Sequence, residues 1–273
     1  MVAAVLMAAG LTACGGGAGA PAQLSPSRPA TSPSPSEAGS SDRSPRGVML
    51  SAAQGLQSSR RAKLSFWSNT PDGRNQSAAG VLYWAPRTIM QLGWTMPGAT
   101  DQLIVMDTVS YQGGDAATAA RLGGRHWEKS GEVIGPDGRK ETPFASLVDQ
   151  LNPVLAVTAA AGAGDLRLLG EEKLSEGSAE HYRATLSVAD YAAAQQDLLT
   201  AERREQLATA LGQGGVGTVT LDLWLNDKDQ LVQLQRSGRG SQGSLDQTIQ
   251  YSDFGGPLAV QAPAENDTQG PAR

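Results

Sequence analysis

Residues 79–109 read AGVLYWAPRTIMQLGWTMPGATDQLIVMDTV. Three apolar runs, Ala79–Trp84, Thr88–Met96 and Leu103–Val109, are separated by Pro86-Arg87 and Pro97-Gly98. Proline and glycine at those points break a helix and suit turns, so the runs read as successive antiparallel strands. Side chains alternate across a strand, which puts Met90, Leu92, Trp94 and Met96 on one face. The same reasoning assigns Leu82 and Trp84 in the strand before, and Ile104 and Met106 in the strand after. Gln91 and Thr95 fall on the other side, so one face of this meander is dry and the other mixed. A dry face rich in Met and Trp is either plain core or a wall that accepts varied apolar shapes.

Outward from this stretch the pattern stays consistent. Lys63–Ser68 adds a strand, with Pro71-Asp72-Gly73 as its turn. Before it, Arg46–Ala62 carries Val48, Ala52 and Leu56 at helical spacing. After the meander, a short strand falls near Arg125–Lys129, beyond the Gly-rich passage 113–124. Thr142-Pro143 opens a helix with Phe144, Leu147, Val148 and Leu151 on one face, and Asn152-Pro153 interrupts it. Strands Leu166–Leu174 and Ala179–Val188 follow. Asp190 then caps a long helix with Tyr191, Ala194, Leu198, Ala201, Ala208 and Leu211 as its seam and Gly212 as its stop. Val216–Leu225, Leu231–Arg236 and Thr248–Phe254 close the chain as strands, turning at Asn226–Asp229 and in the Gly-rich 237–244 segment. Val219, Leu221, Leu223 and Leu225 share the dry face; Asp222 and Trp224 oppose them. The order predicts an α+β domain: a single curved antiparallel sheet packed against helices.

Composition narrows the function. The chain has 273 residues and a formal net charge of −5. Its basic runs stop at Arg60-Arg61 and Arg203-Arg204, which excludes the basic stripe that nucleic acid or anionic lipid would need. His126 and His181 lack partners at metal-ligand spacing and read as structural, partly exposed residues. Gly212–Gly217 matches G-x-G-x-x-G but follows a helix and precedes a strand, the reverse of a phosphate-binding turn. Glu171 and Glu172 point to opposite faces of a strand, and no G-x-S-x-G elbow is present. The expectation is a protein without catalytic residues, metal or cofactor.

The N-terminus reads as an address. Residues 1–13, MVAAVLMAAGLTA, have the length of a signal-peptide apolar region and are too short to span a bilayer. They end in Leu11-Thr12-Ala13-Cys14, which resembles the bacterial lipobox, although no Lys or Arg precedes the run. That resemblance implies cleavage before Cys14 and a diacylglyceryl group on its thiol. Each buried CH₂ contributes about 0.8 kcal/mol, so two chains anchor stably without a transmembrane helix. Residues 14–45 are mostly Gly, Ser, Pro and Ala with few large apolar side chains and cannot offset their ordering entropy, so they read as a spacer. The domain is expected over 46–261, with 262–273 as a disordered tail.

The anchor, spacer and element order together resemble the LppX/LprA/LprF/LprG group of actinobacterial lipoproteins, related in fold to the LolA/LolB carriers. The most telling pieces are Arg60-Arg61-Ala62 before Leu64, and the run Thr218–Asp227, TVTLDLWLND. The resemblance covers about 46–256. It implies a half-open sheet wrapped around helices and enclosing an apolar cavity for acyl chains. Leu82, Trp84, Met90, Leu92, Trp94, Ile104 and Met106 are then the candidate cavity walls. The implied partners are a lipid or glycolipid ligand and the outer face of the cell membrane. The alternative is an envelope sensor or scaffold that binds a protein partner with the same fold.

Overall fold

Ser44 opens the domain: its Oγ accepts a hydrogen bond from Gly47 N at 3.1 Å, and Pro45 stands at the first helical turn. This cap starts α1, Pro45–Ser59, which buries Val48, Met49, Ala52 and Leu56 along one side. The helix stops at Ser59 rather than Ala62, because Arg60 adopts a left-handed φ of 61° and frees Arg61 and Ala62 to enter a strand. The computed structural model describes residues 42–69, 75–96, 99–135, 138–257 and 259–271. Cys14 with its flanking address and most of the spacer lie outside the described residues, as do the turns at 71–73 and 97–98.

The first meander is β1 Arg61–Asn69, β2 Asn75–Tyr83, β3 Ile89–Met96, β4 Ala99–Met106 and β5 Val109–Gly113. A short helix α2, Ala116–Arg121, leads to β6, Trp127–Ser130, and a separate two-stranded hairpin pairs β7, Val133–Ile134, with β8, Lys140–Glu141. Helices α3, Ala145–Leu151, and α4, Pro153–Gly162, come next. The second half holds β9 Arg167–Leu174, β10 Gly177–Ser187, α5 Val188–Ala193, α6 Ala201–Leu211, β11 Thr218–Leu225, β12 Leu231–Gly240 and β13 Gly243–Ser252. A last strand, β14, is Thr268–Gln269.

Twelve of these strands form one sheet in the order β14-β6-β5-β4-β3-β2-β1-β13-β12-β11-β10-β9. The α+β expectation holds, with one difference: β14 runs parallel to β6, so the sheet is mixed. Two local meanders meet at a single long-range seam, β1 against β13, where Lys63 faces Ser252 and Asn69 faces Asp246. The segment expected as a tail thus supplies an edge strand. Its anchor is Asp267, whose carboxylate accepts from His126 N at 3.0 Å and lies 2.8 Å from His126 Nδ1.

Helices cover one face of the sheet. Asn152 separates α3 from α4 and caps the latter through its side-chain oxygen and Val154 N, 3.1 Å apart. Helix α4 is buried nearly all round, its Ala156, Ala159 and Ala160 letting α1 approach closely. The carbonyls at the end of α3 find partners in the second meander. Tyr251 donates to Leu151 O at 2.9 Å, and the fully buried Arg236 reaches Gln150 O, Gln247 Oε1 and Tyr191 Oη. A cation at a helix C-terminus meets the negative end of the macrodipole.

One expectation fails here and another narrows, both for local reasons. The long helix from Asp190 is two helices: Ser187, not Asp190, caps α5, and Thr200 caps a new start at α6. Gln195 turns inward at the break and donates to Leu155 O and Tyr191 O, tying it to α4. The turn expected in the Gly-rich 237–244 segment narrows to Ser241-Gln242, with β12 and β13 running right up to it. A Cβ on Gly240 would lie 2.2 Å from Gly214 O, so glycine there permits the chain before β11 to cross β12.

Candidate functional site

The apolar opening on the helix-covered face forms between β3, β4 and the start of α3. Trp94 lies in register with Ala78 on one side and Asp101 on the other, so its ring has small or polar neighbours along the sheet. Leu103 supplies the floor, and Phe144 and Leu147 close the cleft from α3. Thr142 sets that helix by accepting from Phe144 N at 3.2 Å. The cleft has a volume of about 370 Å³ and a polar rim that includes Gln76, Asp101 and Gln112. Gln112 donates to Asp101 at 3.0 Å across that rim.

The seven candidate wall residues separate into three groups. Leu82, Met90 and Leu92 are 0% exposed, so no water-sized space touches them; they are packed core, in one cluster with α1 and α4. Trp84 is partly buried and tied to α1, its Nε1 donating to Leu56 O at 3.0 Å. Trp94 alone of the seven lines the cleft. Ile104 and Met106 correct the expectation outright. Met90 pairs with Val105 and Leu92 with Leu103, so Leu103 and Val105 face the helices while Ile104 and Met106 face away. In Leu103-Ile104-Val105-Met106 every residue is apolar, and alternation gives no phase.

On the other flank of α3 lies a polar pocket of about 220 Å³. Its wall is held by Arg203 of α6, which donates to both oxygens of Asp149 at 2.6 and 2.9 Å and lies 3.9 Å from Glu141. Burial pushes the Asp149 carboxyl up to about 6, with Arg203 pulling it the other way. This pair pins α3, and hence Phe144 and Leu147, over the sheet.

The opposite face of the sheet carries a network that sequence reasoning left unassembled. His181, expected to be partly exposed, is 5% exposed and stacks on Trp224 with centroids 4.2 Å apart. Its Nδ1 is 2.7 Å from Glu172 Oε1 and its Nε2 2.6 Å from Asp222 Oδ1. Trp224 Nε1 donates to Glu172 at 2.9 Å and Arg183 to Asp222 at 2.7 Å. Glu172 is held below the usual carboxylate range, first by Trp224 and then by His181. The alternation that set Asp222 and Trp224 apart from Leu221 and Leu223 was the available signal. The β10–β11 register, pairing His181 with Trp224 and Arg183 with Asp222, was not legible.

Comparison with known proteins places this architecture. No family model matches the chain. A Streptomyces coelicolor protein whose name calls it a candidate lipoprotein is 29% identical, over 90% of this chain and 81% of its own length. An uncharacterised 31.2 kDa protein of Streptomyces griseus, from the rplA-rplJ intergenic region, is 27% identical over 82% of this chain and 78% of its own. Among solved structures, LprF of Mycobacterium bovis superposes with a TM-score of 0.50 at 14% identity, covering 81% of this chain and 97% of LprF. The Mycobacterium tuberculosis lipoprotein LppX gives 0.49 at 12% identity, over 81% of this chain and 100% of LppX. With its sheet of two joined meanders and its helices gathered on one face, the chain has an LprF-like fold.

Proposed function

We propose that this protein is an extracytoplasmic lipoprotein, acylated on Cys14, whose domain binds one acyl chain or a similarly slim amphiphile in the Trp94 cleft. The observation that carries the reading is the cleft itself: an aromatic wall, an aliphatic floor and a polar rim, opening beside the packed Leu82, Met90 and Leu92. At about 370 Å³ it falls at the small end of ligand pockets, which run from roughly 300 to 1,000 Å³. That favours a single chain over a two-chain lipid. Burying eight methylenes would contribute about 6 kcal/mol before the cost of immobilisation, a capture no tighter than roughly tens of micromolar that needs no catalytic group.

Titration with a fluorescent fatty acid tests the cleft. Trp94→Ala should weaken uptake about tenfold or more, whereas Ile104→Ala on the far face should leave it unchanged. Equal affinity in all three proteins would remove the cleft from the function. A domain that takes up no probe and instead crosslinks to one envelope protein would replace this reading with the sensor or scaffold one. The anchor is tested separately. Cys14→Ser should abolish labelling by an alkyne fatty acid and move the protein from the membrane fraction to the soluble one; continued sedimentation with membranes would refute acylation as the tether.

A further inference from the structure

Arg236, in the middle of β12, is 0% exposed, and every hydrogen-bond partner it has among the described residues is neutral. Nη1 donates to Gln247 Oε1 at 2.7 Å and Nη2 to Tyr191 Oη at 3.0 Å, while both reach Gln150 O only at 3.5 Å. Nε has no acceptor at all. Arginine keeps its charge when buried, so the cost of a cation without a counter-ion is not relieved by losing a proton. The short helix α3, which ends beside Gln150, offsets only part of that cost through its carbonyls. A carboxylate on the Nε side would supply the missing acceptor and the missing charge together.

Two walls of the Trp94 cleft lead to this cation. Across the sheet, Arg236 is paired with Gln247, Gln247 with Ser68, and Ser68 with Gln76. Opposed residues of an antiparallel ladder share a face, so these four make a polar row on the helix-covered side, ending at Gln76 in the rim of the cleft. Within the row Ser68 Oγ is buried and has no partner. The row beside it, two residues along each strand, is apolar and runs Trp94, Ala78, Phe66, Ile249, Leu234. From the helix side, Leu147 of α3 lines the cleft and Gln150 follows one turn later. Gln150 is partly exposed, and the bonds its side chain makes to Ser146 and accepts from Gln247 are all long, at 3.3–3.4 Å. A weakly held amide is thus the neighbour of the buried cation on the side of the cleft.

We infer that Arg236 is the carboxylate anchor of the Trp94 cleft. The ligand is a long-chain acid whose head displaces the Gln150 side chain and binds Nε, while its chain stays along Trp94, Phe144 and Leu147. This rests on the acyl-chain reading of the cleft and adds the head-group chemistry to it. The two adjacent rows, one polar and one apolar, match the two ends of such a molecule.

The test is isothermal titration of the full chain carrying Cys14→Ser, which leaves no acyl group of its own to compete, with decanoic acid, decanol and decylamine at neutral pH. An apolar cleft alone favours the alcohol, because a carboxylate gives up more hydration on entering it. With the anchor, decanoate should bind about tenfold tighter than decanol, and decylamine weakest of the three. Arg236→Met should abolish the preference for the acid while decanol still binds, which also shows that the variant is folded. Gln150→Ala should strengthen decanoate several-fold and leave decanol unchanged, a readout that does not depend on the folding of Arg236→Met. Decanol binding as tightly as decanoate, an acid preference that survives Arg236→Met, or a Gln150→Ala variant indistinguishable from its parent would each overturn the anchor. In those cases decanol uptake that is still weakened by Trp94→Ala leaves the cleft standing. Failure of all three probes to bind would remove the cleft and the anchor together.

Discussion

Arg203→Ala is expected to cost about 3–5 kcal/mol of stability at pH 7, and clearly less at pH 5. The reason is what it leaves behind. Asp149 is 3% exposed, and its carboxylate receives both of its short bonds from Arg203. Without the guanidinium, an ionised carboxylate would sit in the interior unpaired; protonation relieves that cost. The wild-type protein carries a milder form of the same dependence. The carboxyl is raised from 3.8 to about 6 in the folded state, so the native form binds its proton more tightly than the unfolded chain. The resulting stabilisation is complete below pH 3.8 and is lost as pH rises through about 6. At about 1.4 kcal/mol per unit its full size is about 3 kcal/mol. Asp149→Asn should flatten the pH 4–7 stability profile, measured by urea unfolding. A profile identical in wild type and Asp149→Asn would refute the assignment, as would an Arg203→Ala penalty independent of pH.

Gly80→Ala should be nearly as damaging, although it adds a single methyl group. Gly80 faces Leu92 across the β2–β3 ladder, and a Cβ built there falls 1.8 Å from Gln91 O and 2.8 Å from Gln91 C. Both are backbone atoms of the paired strand, so no side-chain rotation relieves the clash and the two strands must part. A loss of about 3 kcal/mol is expected. The matched control is Gly93→Ala, on the same pair of strands, where the added Cβ meets only Ala79 O at 3.9 Å. That variant should unfold within about 0.5 kcal/mol of wild type. Equal midpoints for the two substitutions would mean that β2 and β3 do not approach as described.

What could be read from the sequence follows the physics of each signal. Strands bounded by proline or glycine were legible because period-2 alternation and turn chemistry agree, as in Lys63–Ser68 and Thr88–Met96. The break at Asn152-Pro153 was legible for the same reason. The split of the Asp190 helix was not, because Thr200 competes as a cap only when Gln195 can turn inward onto α4, a contact about forty residues away in the chain. Strand β14 hid within a segment of tail-like composition, since its pairing depends on His126 and Asp267 meeting across the fold. Half of the candidate site was visible: Trp94 was named, but Phe144 and Leu147 were read only as a helix seam. Nothing in the local pattern says that α3 stands off the sheet at that end. The phase error at Ile104 and Met106 is the plainest case, because an unbroken apolar run carries no information about which side is which.

The single seam between β1 and β13 bears on how such a chain is made. Synthesis runs from the amino end, so β1 through β6 can zip into hairpins long before their final neighbour exists. Throughout that interval the outer rim of β1 stays bare, a row of unpaired amides and carbonyls open to any passing strand. Closure waits on a partner nearly two hundred residues downstream, since Lys63 meets Ser252. For a protein of this build, the most hazardous moment is its own half-finished state.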